Sequence, residues 1–161
     1  MYNKILAPLD GSKISECSLE HIKEIATGCH VSEVILLMVI EQPPPIHVEY
    51  SSRTQIEEET QRKEKERERV REKAERYLSG INENLTKEGV AARNVIIEAE
   101  EANSVAELIL EYAESHGINL IVMSTHGRSG IARWAFGSIA DRVVRHSKVP
   151  VLTVAPAGCR K

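Results

Sequence analysis

Five short apolar runs, rich in β-branched residues, constrain the fold of this chain more than any other feature. They occupy residues 4–9, 33–40, 94–99, 119–123 and 149–154. Each run is separated from the next by enough residues for a helix, and strands that alternate with helices form a parallel sheet. The run at 34–40 is almost continuously apolar, as is typical of a strand covered on both faces. We therefore predict a three-layer, doubly wound α/β fold with a five-stranded parallel sheet.

Apolar side chains spaced one helical turn apart predict two of the connecting helices. The two stripes are Ser18, Ile22, Ile25, Ala26 and Cys29, and then Val105, Leu108, Ile109 and Tyr112. Ser104 and Glu107 form a capping-box pattern at the start of the second stripe. Gly117 suits a left-handed residue at its end. Both boundaries of this helix are therefore predicted.

A highly charged segment at 57–76 predicts a long solvated helix. It contains eight acidic and eight basic residues, and this balance argues against a basic arm that binds nucleic acid. An apolar stripe follows the same periodicity: Val70, Ala74, Tyr77, Leu78, Ile81 and Leu85. Because this stripe runs through Gly80, we predict one helix over 57–88 that ends at Gly89.

The overall composition predicts one domain over residues 1–161, with 156–161 as a tail. The net charge of −3 indicates neither a nucleic-acid nor a membrane partner. No apolar run approaches the roughly 20 residues that cross a bilayer, and the N-terminal residues lack a signal-peptide pattern. The three cysteines form no C-x-x-C pair and are expected to be reduced. We predict a cytoplasmic protein.

A stretch rich in glycine and hydroxyl side chains follows the fourth strand directly. It spans 124–138 and reads Ser-Thr-His-Gly-Arg-Ser-Gly-Ile-Ala-Arg-Trp-Ala-Phe-Gly-Ser. Gly127 and Gly130 allow backbone amides to approach an anion with no Cβ in the way. A helix is predicted to begin after Gly137, where free N–H groups and the helix dipole favour negative charge. This loop is therefore predicted to bind phosphate.

The local charge around this loop agrees with phosphate binding. Residues 124–148 contain one acidic side chain, Asp141, and five basic ones: Arg128, Arg133, Arg142, Arg145 and Lys148. An alternative is that the last three only decorate an exposed helix, which leaves Arg128 as the candidate contact. In the same helix, Ile139, Val143 and Val144 are predicted to share the apolar face.

A second loop, at 7–12, leaves the first strand and is predicted to meet the glycine-rich loop at the carboxyl edge of the sheet. Asp10 suits hydrogen bonds from ribose hydroxyls or a metal ion. Plainer interpretations stay open: Asp10 and Ser12 cap the first helix, Ser138 caps the last one, and His126 only forms hydrogen bonds within its loop.

The segment at 41–55 contains three consecutive prolines and is predicted to be a loop. It follows the second strand, at the edge where doubly wound sheets bind ligands. It is either a lid over the site or a plain surface connection.

Several catalytic signatures are missing from the sequence. It contains neither G-x-x-x-x-G-K-[ST] nor G-x-G-x-x-G, which argues against a P-loop hydrolase and a dinucleotide dehydrogenase. No His, Cys and Asp cluster has metal-site spacing. The protein is therefore predicted to bind a ligand rather than to catalyse a fast reaction.

The chain resembles the universal stress protein family over essentially its whole length. The matching segments are 4–12, 34–39, 148–154 and the pattern Gly127-x9-Gly137-Ser138. The resemblance implies a Rossmann-like sheet of order 3-2-1-4-5. It also implies a homodimer formed through the final strand, 149–154.

The ATP-binding branch of that family carries a glycine, two residues, a second glycine, nine residues, and then Gly-Ser or Gly-Thr. Ser124 stands here at the position of the first glycine. Carried over residue by residue, the nucleotide-binding set is Pro8, Asp10, Val39, Ser124, Thr125, His126, Gly127, Arg128, Ser129, Gly130, Gly137, Ser138, Ile139 and Ala140. The base and ribose would contact the first three residues, and the phosphates would contact the others.

The resemblance implies an ATP-binding stress-response protein that acts as a nucleotide-dependent dimeric binding module or switch with an unknown protein partner. ADP or AMP are alternative ligands. Mg²⁺ would accompany the phosphates, with Asp10 as its candidate protein ligand. Two other hypotheses stay open: a nucleotide-free dimeric scaffold, suggested by Ser124, and a slow ATP hydrolase.

Overall fold

A computed structural model describes residues 2–41, 53–99, 104–125 and 137–155. The described residues form five parallel strands: β1 (Lys4–Leu9), β2 (Glu33–Glu41), β3 (Ala92–Ala99), β4 (Leu120–Ser124) and β5 (Val151–Val154). Their order in the sheet is β3-β2-β1-β4-β5. The predicted parallel sheet and its order are confirmed.

The helices connect successive strands. They are α1 (Ser18–Gly28), α2 (Arg53–Lys87), α3 (Val105–Ser115) and α4 (Ser138–His146), with a short 3₁₀ turn at Ser15–Cys17 before α1. The long helix α2 thus begins four residues before its predicted start. β5 begins at Val151 rather than 149, because Pro150 has no N–H for the ladder. The Pro150 carbonyl still accepts a hydrogen bond from Ile121 N at 3.0 Å.

Two separate cores cover the two faces of the sheet. Alternate residues of each strand point to opposite faces. On one face, side chains of β1 and β2 such as Ile5 and Leu36 pack against α1 and α2. On the other face, Leu6 and Leu37 pack against α3 and α4. The predicted three-layer arrangement follows from this alternation.

The predicted stripe of α2 is the face that packs on the sheet. Ala74, Leu78, Ile81 and Leu85 are buried, and Val70 and Tyr77 pack at the margin of the same core. Ion pairs attach the more exposed part of α2 to β3: Arg67 and Arg71 contact the Glu98 carboxylate at 2.8 and 3.1 Å. The Arg67 guanidinium, together with Arg71, lowers the pKa of Glu98 below its usual range.

Three helices end with the same hydrogen bond, in which the second residue beyond the helix cap donates to a carbonyl five residues earlier. The donors are Val31, Val90 and Ile118, with N–O distances of 3.0, 3.0 and 3.2 Å. Gly89 and Gly117 occupy the left-handed position in α2 and α3, as predicted, with φ of 81° and 65°. His30 occupies the equivalent position after α1 with φ of 53°, which the sequence pattern did not indicate.

Two glycines of the α2 segment should respond in opposite ways to the same substitution. A Cβ at Gly80 meets nothing within 4 Å, so Gly80→Ala should raise the free energy of unfolding by about 1 kcal/mol. The space around Gly89 is equally open, but its φ is 81°, a conformation that strains a residue with a Cβ. Gly89→Ala should therefore lower the free energy of unfolding by about 1 kcal/mol. Denaturation by urea measures both changes. A loss of stability in Gly80→Ala would contradict an uninterrupted helix.

The predicted apolar face of α4 is wrong. Ala140 and Val143 are buried, whereas Ile139 and Val144 are 39% and 42% exposed. Ala140 and Val143 lie at the centre of the packed face, and Ile139 and Val144 lie at its two margins, because consecutive helical residues point about 100° apart. The i, i+3 pair of Ala140 and Val143 packs on the core instead.

Candidate functional site

A crevice of about 530 Å³ lies at the carboxyl edge of the sheet. It opens where β1 and β4 are neighbours and their following segments diverge, which is the usual ligand position in doubly wound folds. Its walls come from three strands and their exits, β1, β2 and β4, and from three helices, α2, α3 and α4. The lining residues are Pro8, Leu9, Asp10, Ser15, Leu37, Val39, Ile40, Glu41, Val70, Val105, Ile109, Met123, Ser124, Thr125, Gly137, Ser138, Ile139 and Ala140.

The crevice brings together many of the site residues that were predicted from the sequence. Every predicted site residue in the described part of the chain lines the crevice: Pro8, Asp10, Val39, Ser124, Thr125, Gly137, Ser138, Ile139 and Ala140. The remaining predicted site residues lie outside the described part of the chain: His126, Gly127, Arg128, Ser129 and Gly130. What these side chains do toward a ligand stays a prediction.

A hydrogen-bonded turn holds Asp10 at the exit of β1. Its Oδ1 accepts hydrogen bonds from the backbone N and the Oγ of Ser12, at 2.9 and 2.6 Å. Ser12 Oγ in turn accepts from Ser15 N at 3.1 Å, and Gly11 between them has φ of 81°. Neither Asp10 nor Ser12 caps α1, whose N-cap is Cys17 without a side-chain bond. The capping alternative is wrong, because the 3₁₀ turn separates these residues from α1.

Backbone hydrogen bonds tie together the two ends of the glycine-rich loop. Thr125 N donates to Val154 O at 3.0 Å, and Gly137 N donates to Thr125 O at 2.7 Å. Ser124 is the last residue of β4 and is buried. Among the described non-glycine residues only His30 has positive φ, so Ser124 has a backbone conformation open to any residue. Its position therefore does not require a glycine for conformational reasons.

The first turn of α4 presents backbone N–H groups to the crevice. Gly137 is the N-cap, and it makes no side-chain cap bond. The alternative with Ser138 as N-cap is therefore wrong, since Ser138 is already helical. The first backbone bond of the helix runs from Asp141 N to Gly137 O at 2.9 Å. The N–H groups of the three preceding residues have no acceptor within the helix, which makes this end suited to an anion.

The basic side chains of α4 and its C-terminal end are engaged in ion pairs. Arg142 pairs with Glu107 of α3. Arg145 pairs with Asp141 at 2.8 Å, and Lys148 pairs with Glu114 at 2.9 Å. These contacts fit the alternative in which the three residues decorate the surface. Arg128 and Arg133 lie outside the described residues.

An apolar wall of the crevice was missed by the sequence analysis. Leu37 from β2, Met123 from β4, and Val105 and Ile109 from α3 line it. Their patterns predicted buried strand and helix positions, which do not distinguish the core from a cavity wall. Val70 reaches the crevice from α2, and no local pattern signals a contact between such distant segments.

Tyr77 has a hydroxyl group buried near the Asp10 turn. Within the described part of the chain its Oη makes no hydrogen bond, although the Ser15 hydroxyl lies close enough to interact with it. Burial raises the pKa of Tyr77 to about 12, and the Ser15 hydroxyl acts in the opposite direction. Tyr77 therefore stays protonated at neutral pH.

The described residues were searched for a metal site and for a helix that could span a membrane. They contain no group of three or more His, Cys, Asp or Glu side chains that could hold a metal ion. In the same residues, no helix combines the length and apolar character that crossing a membrane requires.

Comparisons with known proteins agree on one family. A model described as "Universal stress protein family" matches residues 1–155. Universal stress protein MJ0577 of Methanocaldococcus jannaschii is 29% identical over 163 residues, covering 96% of this chain and 95% of that protein. Its solved structure has a TM-score of 0.77, at 28% identity and 97% coverage of both chains.

Two other matches extend this result. Universal stress protein MJ0531 of the same organism is 30% identical over 154 residues, covering 96% of this chain and 82% of that protein. A universal stress protein family member from Arabidopsis thaliana was solved with AMP bound. Its TM-score is 0.59 at 16% identity, covering 97% of this chain and 94% of that one, and this similarity concerns the fold alone.

Proposed function

Because the chain belongs to the universal stress protein family, we propose that its crevice binds an adenine nucleotide, with ATP as the first candidate and ADP or AMP as alternatives. Nucleotide occupancy would then switch the binding of a protein partner during the stress response. The observation that carries this proposal is the convergence, in one crevice, of the free amino end of α4, the Asp10 turn and an apolar wall.

Each part of a nucleotide has a matching surface in the crevice. The N–H groups of Ser138, Ile139 and Ala140 suit phosphate oxygens, because they lack acceptors within the helix. The Asp10 carboxylate suits the ribose hydroxyls, which donate hydrogen bonds. The apolar wall suits a flat base. The AMP-bound Arabidopsis protein supports the choice only in that this fold has room for an adenine nucleotide.

Ser124 does not argue against this ligand. It adopts an ordinary backbone conformation at the end of β4, so the loss of the family's glycine costs no backbone strain. Its hydroxyl can donate a hydrogen bond and accept two, as ribose or phosphate binding requires. The nucleotide-free scaffold becomes the leading hypothesis only if nucleotides fail to bind.

Magnesium is proposed to enter with the phosphates rather than to occupy a site made by the protein. Mg²⁺ prefers six oxygen ligands and usually retains several waters. Asp10 supplies a carboxylate within the crevice, while phosphate and water oxygens would complete the shell. The described residues do not bring three candidate ligands together, which agrees with a metal that binds only with the nucleotide.

A homodimer through β5 is part of the proposal. Within the described sheet, β5 pairs with β4 along one edge and lies at the end of the strand order. Its Leu152 is 36% exposed, as expected for an apolar side chain at an interface between two copies. Light scattering should give twice the monomer mass, and a monomer mass at micromolar concentration would contradict this part of the proposal.

Calorimetric titration tests the nucleotide. The protein, purified without added nucleotide, should show saturable binding of ATP, ADP or AMP. Titrations of ATP with and without Mg²⁺ show whether the metal enters with the phosphates. Mass spectrometry of ligand retained through a gentle purification identifies the natural one. The proposal fails if none of the three nucleotides binds at millimolar concentration and no nucleotide is retained.

A further inference from the structure

β3 forms one outer edge of the sheet. It lies at the end of the strand order and pairs with β2 along its whole length, from Ala92 to Ala99. Within the described part of the chain, no strand pairs with its other edge. The centre of the strand is apolar, Val95-Ile96-Ile97, and the strand contains no proline. An edge strand of this length and composition is suited to pairing with a further strand.

The backbone of β3 presents hydrogen-bonding groups at this outer edge. A backbone N–H of β2 donates to Ala91 O at 2.8 Å, and a strand directs the backbone groups of alternate residues to opposite edges. The N–H and C=O groups of Asn94 and Ile96 therefore point away from β2. Asn82 of α2 donates from its side chain to Ala92 O at 3.0 Å, so the amino end of the edge is already occupied. The available part of the edge is its centre, at Asn94 and Ile96.

A strand added at this edge would meet a different surface on each of its faces. Val95 and Ile97 lie at the margin of the core beneath α3 and α4, whereas Ile96 lies at the margin of the core beneath α2. All three are half-buried, so apolar side chains beside them would cover surface that now contacts water. The face toward α3 is therefore apolar, and the face toward α2 continues onto a charged helix.

The flank of α2 that lies beside β3 is acidic. Arg71 defines this flank, because its guanidinium contacts the Glu98 carboxylate of β3 at 3.1 Å. Glu68 and Glu75 are exposed, and they share this flank because they lie three and four residues from Arg71. Glu64, one turn before Glu68, extends the same row. The two arginines on Glu98 oppose four carboxylates, so the flank is negative.

We propose that the outer edge of β3 binds an extended segment of a partner protein, which adds a sixth strand to the sheet. The segment carries Val or Ile on the face that meets Val95 and Ile97, and Lys or Arg on the face that meets α2. Backbone hydrogen bonds give such pairing its affinity, and alternate side chains give it specificity. The described residues that line the crevice include none from β3, so this inference goes beyond the proposed function and needs no bound nucleotide.

The test uses the whole protein and the synthetic peptide acetyl-Val-Lys-Val-Lys-Val-Lys-Val-amide as the probe. Calorimetric titration should show saturable binding. Amide hydrogen exchange, measured by NMR, locates the peptide. The amides of Asn94 and Ile96 should exchange about tenfold more slowly near saturation. Those of Val95 and Ile97 should change little, because they are already bonded to β2.

Two charge changes test the role of α2. Glu68→Lys should weaken peptide binding by about fivefold, because it replaces an attraction by a repulsion near the edge. Glu66→Lys is the matched control: it makes the same charge change at an exposed residue of the same helix, about 200° around the axis from Glu68. It should bind the peptide as the natural protein does. Thermal unfolding checks that both variants are folded.

The proposal is overturned if the peptide does not bind, if it binds without slowing the exchange of Ile96, or if Glu66→Lys weakens binding as much as Glu68→Lys. Protection of Ile96 that is present without peptide and rises with protein concentration would mean that a second copy of the chain occupies the edge, which also overturns it. Each of these results leaves nucleotide binding in the crevice untouched. A failure of nucleotides to bind leaves the edge of β3 equally untouched.

Discussion

Asp10→Asn is expected to weaken nucleotide binding by about 10- to 100-fold and to leave the fold intact. A hydrogen bond to a charged group contributes about 1.5–3 kcal/mol, and the substitution replaces a carboxylate by a neutral amide. The amide oxygen can still accept the bonds from Ser12 N and Oγ that hold the turn. Calorimetric titration with ATP measures the affinity, and circular dichroism checks the fold.

The comparison of two further variants makes this result specific to the crevice. Asp10→Ala removes both the charge and the acceptor of the turn, so it should reduce affinity at least as much and also lower stability. Glu24→Gln makes the same change in net charge on an exposed residue of α1 and should have no effect on binding. An unchanged affinity in Asp10→Asn would mean that the ribose or metal does not contact this carboxylate.

Val143→Ala should lower the free energy of unfolding by about 2 kcal/mol, whereas Val144→Ala should change it by less than about 0.5 kcal/mol. Val143 is 0% exposed in the core beneath α4, and Val144 is 42% exposed. The buried substitution loses about 0.8 kcal/mol per methylene-sized group and leaves a cavity. Val144→Ala loses little buried apolar surface, because Val144 is already largely in contact with water. Urea denaturation followed by circular dichroism measures both.

The two valines serve as controls for each other, because they are adjacent in one helix and undergo the same chemical change. Any effect of helix propensity is therefore shared. Equal losses of stability would contradict the orientation of α4 described above. The result also bears on the site, since α4 presents its amino end to the crevice.

Much of the fold was predictable because local physical rules specify it. The β-branched runs and their helix-length separations indicated a parallel sheet before any contact was known. The stripe through Gly80 predicted an uninterrupted helix, and α2 spans that residue. Gly89 and Gly117 marked helix ends because glycine adopts positive φ without a steric cost. Such signals depend on neighbours within about one helical turn.

Other features followed from packing between distant segments and could not be predicted in this way. His30 adopts positive φ at a position after a helix where glycine is the usual residue. Ile139, Val143 and Val144 are all apolar and were predicted to face the core. Only the packing of α4 against the sheet decided that Val143 is buried while Val144 is exposed. Val70 lines the crevice because α2 packs against β2 and β3.

The sequence by itself determined the alternation of strands and helices, the glycine-marked helix ends and the polar and loop residues among those that line the crevice. These properties arise from side-chain periodicity, backbone φ preferences and motif spacing, all of which are local. Only the tertiary structure decided which face of α4 is buried, that Asp10 is held by Ser12 rather than capping α1, and that Val70 reaches the crevice from α2. These depend on how segments far apart in the chain pack together, and packing free energy is a property of the assembled fold.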